Sequence, residues 1–226
     1  MNLSRQHPCA APLAVLIGSL ALALPAHAVD TVFDFESGDV GSWLAATTGG
    51  SGSTGVEDHN GSLMAFVKHN GSGTHSLSHD FAYAAGDFVS FDMHAVAVLG
   101  SYTQALSGVT LSFLTAFNTS LGTVSLYNTT NPAGLGVHQY AIDNVQHNYS
   151  DSMANWAALA GISDGTPIAK IGLSFKTYAE TYSIYPSYAT VWFDNVRVAA
   201  VPEPGAWALM LAGLLVTAHG VRRRSI

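Results

Sequence analysis

The chain has almost no cysteine. Its 226 residues include a single thiol, Cys9, which lies ahead of the first apolar run. If the leader that contains Cys9 is removed on export, the mature chain has neither a disulfide nor a cysteine nucleophile. Such a protein depends for its stability on its hydrophobic core or on bound ions.

Basic side chains are also scarce, with 8 Lys and Arg against 15 Asp and Glu and a net charge of −7. Residues 29–200 retain four of the basic residues and fourteen of the acidic ones, a net charge of −10. This balance excludes nucleic acid as a partner, because phosphate binding depends on Lys and Arg. Acidic clusters favour Ca²⁺, which prefers oxygen ligands; the alternative is that the charge only keeps the protein soluble.

Strong helix formers are few, while Gly, Ser, Thr and aromatic residues are plentiful, which favours strands joined by tight turns. Alternation of apolar and polar residues predicts eight to ten strands, and Asp151-Ser152 predicts the start of one short helix over 153–159. The predicted fold is all-β, a β-sandwich of the jelly-roll type, with a β-helix as the competing architecture. The predicted strands are Thr31–Phe35, Leu63–Lys68, His75–Phe81, Val89–Ala95, Val109–Thr115, Thr123–Tyr127, Gly136–Ile142, Ile171–Phe175 and Thr190–Val198.

The N-terminus has the pattern of a secretory signal peptide. An apolar run over 10–24 is followed by Ala26-His27-Ala28, an A-x-A cleavage site. Cleavage after Ala28 assigns residues 1–28 to the signal peptide. We therefore expect the protein to be exported and its body to be a single β-sandwich domain over 29–200.

The C-terminus combines three features. Val201-Pro202-Glu203-Pro204 is extended because proline disfavours helix. An apolar stretch over 206–221 then reaches about 24 Å as a helix, close to the thickness of a bilayer core. Arg222, Arg223 and Arg224 follow this stretch and would stop transfer on the cytoplasmic side. Residues 201–226 are thus predicted to be a sorting tail with a transmembrane helix.

Those last 26 residues resemble the PEP-CTERM sorting signal of Gram-negative bacteria. The resemblance implies that the chain is a substrate of exosortase, a membrane-embedded transpeptidase-like enzyme that acts near Pro202-Glu203-Pro204. It also implies an inner-membrane anchor during sorting, a final place at the cell surface or in the extracellular matrix, and an association with extracellular polysaccharide and biofilm.

The body of the chain resembles the galactose-binding-like jelly roll that many carbohydrate-binding modules share. The matching segments are Phe33–Gly38 followed by Trp43, then Asn60–Leu63, and finally Val191–Val198. The resemblance implies a structural Ca²⁺ held between the first and last strands. Its ligands would be Glu36 and Asp194, with Asp34 as a third candidate.

Asp194 has a second interpretation from alternation alone. It is expected on one face of the last strand with Trp192, Val196 and Val198, where an unpaired charge would be costly. The carboxylate must therefore be hydrogen-bonded, ion-paired or metal-bound. Without a metal it would accept hydrogen bonds from backbone N–H groups at a turn.

Four tyrosines lie close together in sequence near the last strand, and they are the candidates for a glycan-binding surface because tyrosine offers a flat ring and a hydroxyl. The alternative is that these rings cover the ends of the core. The four are Tyr178, Tyr182, Tyr185 and Tyr188.

Two patterns that suggest catalysis fail on their context. His75 and His79 have helical zinc spacing, but on a strand they are about 13 Å apart. The G-x-S-x-G match at 161–165 follows a helix, whereas a nucleophile elbow follows a strand. We therefore expect a non-catalytic protein that binds extracellular polysaccharide. The alternatives are a structural or adhesive surface protein without a defined ligand, and a secreted glycan hydrolase.

Overall fold

The computed structural model describes residues 30–98, 105–129, 139–179 and 188–199, which belong to one compact unit, Val29–Val201. Within these ranges the chain forms twelve strands and one helix. They are β1 (Thr31–Phe33), β2 (Leu44–Thr48), β3 (Ser51–His59), β4 (Ser62–Asn70), β5 (Gly73–Ala82), β6 (Phe88–Val98), β7 (Ala105–Leu114), β8 (Ser120–Thr129), β9 (Gln139–Ala141), β10 (His147–Ser152), α1 (Met153–Leu159), β11 (Lys170–Ala179) and β12 (Tyr188–Ala199).

The strands form two six-stranded sheets. Sheet A has the order β10-β6-β12-β4-β3, with β1 also paired to β12, and sheet B has the order β2-β5-β11-β7-β8-β9. Neighbouring strands are antiparallel except for β8 and β9, which are parallel. The predicted all-β sandwich with one short helix is confirmed.

The core lies between the two sheets and is built by alternating residues. Val89, Phe91, Met93 and Ala95 of β6 are all buried, as are the alternating apolar residues of β7 and β11. At its centre the ring of Phe175 from sheet B stacks on Phe193 from sheet A, with centroids 3.8 Å apart and an interplanar angle of 2°. Because successive side chains point to opposite faces of a strand, the residues between these buried ones lie on the outer faces of the sheets.

The first and last strands are neighbours, as the resemblance implied: Phe33 pairs with Val196. A bulge interrupts β12 between Asp194 and Arg197, where Asn195 has a φ of 50°. The bulge changes the alternation, so Val196 is buried in the core. The expectation that Val196 and Val198 share a face with Trp192 and Asp194 was wrong for this reason.

The helix begins and ends where it was predicted. Ser152 is its N-cap, with Oγ accepting a hydrogen bond from the Asn155 backbone N–H at 3.1 Å. Strands β2, β3 and β10 were not predicted. They lie at sheet edges and contain few alternating apolar residues, so they lack the sequence signal of a strand with one buried face.

Three predicted features lie outside the described residues: the signal peptide with Ala26 and Ala28, the Val201–Pro204 motif, and Arg222–Arg224. Those assignments stay predictions. In the part of the chain that the structure describes, no helix has the length and apolar character needed to span a membrane.

Candidate functional site

Four aromatic side chains gather on the outer face of sheet A. They are His59 of β3, Phe66 of β4, His94 of β6 and Trp192 of β12, and all four are half-buried. Trp192 is directly opposite Phe66 on one side and His94 on the other, so the three residues form a row across the sheet. We call these four residues the aromatic platform.

The two imidazoles of the platform stack on the indole of Trp192. His59 stacks on Trp192 with centroids 4.2 Å apart and an interplanar angle of 15°, and His94 lies 5.4 Å from Trp192 at 30°. A 2.8 Å hydrogen bond joins His59 Nε2 to His94 Nδ1, and His94 Nε2 bonds Asn144 Oδ1 at 3.0 Å. This chain of bonds fixes both imidazoles against the indole of Trp192.

A carboxylate braces the other side of the indole. Glu57 accepts hydrogen bonds from Trp192 Nε1 and from Lys68 Nζ, both at 2.6 Å. The Lys68 ammonium lies 4.6 Å from the centroid of the Phe66 ring, a cation–π arrangement. Burial alone would raise the pKa of Glu57, but the bonds from Lys68 and Trp192 outweigh it, and the pKa is lowered. Glu57 is therefore ionised at neutral pH.

His59, by contrast, is uncharged. Burial lowers its pKa, the neighbouring His94 lowers it further, and the charge of Glu57 only partly opposes this. The imidazole of His59 is therefore neutral at pH 7, as a hydrogen bond between two histidines also favours.

Amide and carboxylate groups border the platform next to His94. Asn148 Nδ2 donates to Asp92 Oδ1 at 2.9 Å, and Asn195 Nδ2 donates to Asp92 Oδ2 at 2.8 Å. Flat rings bordered by fixed amides and carboxylates match a sugar, whose C–H face stacks on aromatics while its hydroxyls both donate and accept.

The residues predicted to hold calcium are partly assembled. Asp194 is 4% exposed and accepts a 3.3 Å hydrogen bond from Ser62 Oγ, but its Oδ1 is buried with no hydrogen-bond partner among the described residues. Asp34 and Glu36 are exposed in the turn after β1, where Asp34 Oδ1 accepts from the Glu36 N–H. Glu36 is near enough for its charge to act on Asp194.

The ionised form of Asp194 is unfavourable in this environment. Burial raises its pKa, and the negative charges of Asp92 and Glu36 act in the same direction against the hydrogen bonds from Asn195 and Ser62. No three acidic or histidine side chains in the described ranges are grouped so that they could hold one ion. A Ca²⁺ at Asp194 would therefore need main-chain or water oxygens as further ligands.

The predicted tyrosine surface is described only at its two ends. Tyr178 lies in β11 of sheet B, opposite Leu106, and Tyr188 opens β12 of sheet A, where it is 48% exposed. Tyr178 and Tyr188 therefore lie in different sheets. Tyr182 and Tyr185 fall outside the described residues, so a surface that joins all four stays a prediction.

Sequence reasoning did not find the aromatic platform. Trp192 was noted as part of the last strand, but its partners come from three other strands that alternation could not pair with it. A usable signal existed: His59-Asn60-Gly61-Ser62 is repeated as His69-Asn70-Gly71-Ser72. Each histidine of this repeat lies beside a second histidine in the structure, His59 beside His94 and His69 beside His75.

No protein-family model matches the chain, and no curated protein matches its sequence. Solved structures that are similar include promiscuous carbohydrate-binding modules of the β-sandwich superfamily, with 16% identity and a TM-score of 0.42 over 74% of this chain and 60% of that one. The family 11 carbohydrate-binding module of a Clostridium thermocellum cellulase has 12% identity and a TM-score of 0.44, over 78% of this chain and 97% of that one. Another is CBM28, a module specific for non-crystalline cellulose, with 16% identity and a TM-score of 0.43, over 75% and 94%.

Proposed function

We propose that this protein is a non-catalytic polysaccharide-binding protein and that the aromatic platform of sheet A is its binding surface. The observation that carries the proposal is the indole of Trp192, which is fixed by Glu57 and stacked with two imidazoles on an outer sheet face. Rings held in this way lose little conformational freedom when a sugar stacks on them, which favours binding.

The charge state of Glu57 argues against its serving as the acid of a glycan hydrolase. A glycan hydrolase needs one carboxylic acid whose pKa is raised so that it can protonate the leaving oxygen. Glu57 has a lowered pKa, and its two oxygens are occupied by Trp192 and Lys68. Its geometry suits a brace for the indole.

The test is a glycan array probed with the purified full chain, followed by affinity electrophoresis in gels that contain a soluble neutral polysaccharide. Trp192→Ala is expected to weaken binding at least about tenfold, because a central aromatic commonly contributes about 2 kcal/mol or more at a binding surface. Phe117→Ala is the matched control, since Phe117 is 91% exposed in the β7–β8 loop and lies outside the platform.

Three outcomes separate the alternatives. Loss of binding in Trp192→Ala but not in Phe117→Ala supports the platform. Loss of binding in Tyr188→Ala alone would move the site to the tyrosine surface. A folded protein that binds no glycan on the array would favour the structural or adhesive role.

We further propose that the chain is exported and sorted by its PEP-CTERM tail, with the bilayer and exosortase as transient partners. The support is the three-part tail and the A-x-A site described above. Cell fractionation tests it: a product shortened at both ends and found at the surface is expected, whereas a full-length product in the cytoplasm would contradict it.

We also propose a structural Ca²⁺ beside Asp194. The orphaned Oδ1 of Asp194 and the nearby Glu36 are oxygen ligands of the type that Ca²⁺ prefers. The ion would neutralise a buried charge and join the first strand to the last.

A further inference from the structure

We propose that one end of the sandwich rests on the surface of a phospholipid bilayer while the C-terminal tail holds the chain in the membrane. This inference rests on the proposed sorting tail and adds to it the orientation of the domain. Its contact residues are Phe117 in the β7–β8 loop, Lys170 of β11 and Leu159 of α1. The contact surface is separate from the aromatic platform, which lies on the outer face of sheet A.

Strand register defines the end in question. Lys170 at the start of β11 is opposite Leu114 at the end of β7 and Ala82 at the end of β5. A short link then joins β5 to Phe88, the first residue of β6, which is opposite Ala199 at the end of β12. The β7–β8 loop, the start of β11 and the end of β12 therefore lie at the same end of the sandwich. We call it the helix end, because α1 lies across it.

Helix α1 closes the helix end. The N–H of Met153, its first residue, donates to the Asp87 carbonyl in the β5–β6 link at 2.7 Å. Just past the last turn of the helix, the Ala160 carbonyl is so close to β8 that a Cβ at Gly122 would lie 2.9 Å from it. One face of α1 is buried in the core, whereas Leu159 is 38% exposed. Leu159 is thus an apolar side chain available at the helix end.

The chain leaves the described domain at the helix end. Thr31 at the start of β1 pairs with Val198, so the first and last strands both open there. Residues 200–205 separate Ala199 from the apolar stretch at 206–221. Even fully extended, this short segment reaches only about 20 Å. With the apolar stretch across the bilayer, as proposed, the helix end is the part of the sandwich that the tether keeps beside the membrane.

The β7–β8 loop, residues 115–119, carries the most exposed large apolar side chain among the described residues: Phe117 is 91% exposed. Hydrogen bonds fix its backbone. Thr115 Oγ1 accepts from the N–H groups of Phe117 and Thr119 at 3.3 and 3.2 Å, and the Thr115 carbonyl accepts from the Asn118 N–H. A ring held outward in this way leaves its apolar surface in water, which is unfavourable unless a partner covers it.

A positive charge accompanies the ring. Lys170 Nζ donates to Oδ1 of Asn118, the residue after Phe117, at 3.0 Å. None of the ion pairs among the described residues involves Lys170. An aromatic ring next to an ammonium suits the interface of a phospholipid bilayer, because the ring enters the headgroup region and the ammonium meets the phosphates. This chemistry identifies the partner as a lipid surface.

The charge of the domain restricts the contact to the anchored protein. Asp87 and Asp151 also lie at the helix end, and residues 29–200 carry four basic and fourteen acidic side chains, a net charge of −10. These charges repel an anionic bilayer, so the free domain should not bind from solution. A tether overcomes the repulsion because it raises the local concentration of the surface. The contact would hold the Val201–Pro204 motif at the membrane, within reach of a membrane-embedded enzyme.

The experiment uses the full chain with Cys9→Ser, incorporated into vesicles made mainly of phosphatidylethanolamine with a minor fraction of phosphatidylglycerol. A single fluorophore is attached through Ala116→Cys in the loop or through Tyr188→Cys. Tyr188 opens β12 and lies about 36 Å from Ala199 along the strand, so its label reports on the opposite end. Quenching is measured with nitroxides on the lipid headgroups, and flotation through a density gradient shows whether the chain is anchored.

The label at Ala116 should lose at least about half of its fluorescence in the quencher vesicles, whereas the label at Tyr188 should lose almost none. Phe117→Ala and Lys170→Gln should each restore most of the signal at Ala116. Val145→Ser is the matched control and should change nothing. Val145 is 54% exposed, but it precedes β10, and only the far end of that strand pairs with Phe88 at the helix end.

The outcomes separate this proposal from the sorting tail on which it rests. A chain that floats but shows equal quenching at both labels, or none at either, would overturn the contact and leave the tail standing. Quenching at Ala116 that persists in Phe117→Ala and in Lys170→Gln would also overturn it, since another surface would then make the contact. Leu211→Lys with Leu214→Lys interrupts the apolar stretch and should abolish flotation. A natural chain that does not float would contradict the tail itself, and the contact with it.

Discussion

Asp194 is a single side chain whose environment opposes its charge. It is buried on the outer side of β12, one of its oxygens has no hydrogen-bond partner among the described residues, and two other carboxylates act on it. A buried carboxylate with a raised pKa binds its proton more readily in the folded state. This stabilises the fold at low pH, and the stabilisation is lost as the pH rises from the unfolded value towards the folded one.

Asp194→Asn tests that cost. In chelator at pH 7, we expect the variant to have a higher thermal midpoint than the natural chain, because it removes an unpaired buried charge while keeping the acceptor for Ser62. In millimolar Ca²⁺ the order should reverse if the ion binds there, since the natural chain alone gains stability. Differential scanning calorimetry with and without Ca²⁺ measures both.

The absence of any Ca²⁺ effect on the midpoint of the natural chain would contradict the calcium proposal. It would leave the expectation in chelator untouched, because that expectation depends only on burial. A lower midpoint for Asp194→Asn in chelator would instead show that the carboxylate is satisfied in the folded protein.

At the scale of elements, β11 and β12 hold the two sheets together. Phe175 and Phe193 stack at their centre, and Phe193 also packs edge-on against Phe35. Phe193→Ala should lower the free energy of unfolding by about 3–5 kcal/mol, because it leaves a cavity in a closely packed core. Phe117→Ala, at an exposed loop position, should change it by less than about 0.5 kcal/mol. Urea denaturation followed by tryptophan fluorescence compares them, and a loss below about 1 kcal/mol for Phe193→Ala would contradict this account.

The sequence predicted the strands in which apolar and polar residues alternate. It did not predict the edge strands β2, β3 and β10, which lack that pattern. The buried faces of β6, β7 and β11 were evident from period-two patterns, and Ser152 marked the helix start. The edge strand β3 contains one apolar residue, Val56, among nine, so tertiary pairing alone makes it a strand. The bulge at Asn195 was equally hidden, because it depends on how β12 pairs with β6.

The candidate site was predictable only in part for the same reason. Asp194 and Glu36 could be placed near each other because first and last strands are neighbours in the resembled fold. Trp192 could be placed on an outer face, but His59 and His94 come from strands about 35 residues apart, and nothing in the sequence pairs those strands. The His69–His75 pair was hidden because its members belong to different sheets.

For the whole molecule, the buried histidines predict sensitivity to acid. Burial lowers the pKa of His59, His69 and His75 in the folded state. The unfolded chain therefore binds more protons, and stability falls as the pH drops below about 6.5 and continues to fall towards the lowered values.

The measurement is the thermal midpoint of the metal-free chain between pH 7.5 and pH 5. The natural chain should lose stability steadily below about pH 6.5. The double variant His69→Gln/His75→Gln should show a shallower dependence, since two of the three groups are gone. Equal slopes for the two proteins would contradict the prediction that these buried groups cause the loss.

The ion pairs of sheet A bear on which sugars the proposed binding surface would accept. Its two described cations are already committed: Lys68 to Glu57 and Arg197 to Asp30. Neither is left to meet a uronate or a sulfate, and the domain around them is strongly anionic. We therefore expect the surface to prefer uncharged polysaccharides, and their binding should not depend on ionic strength. Acidic polymers would be held only once added salt had masked the mutual repulsion.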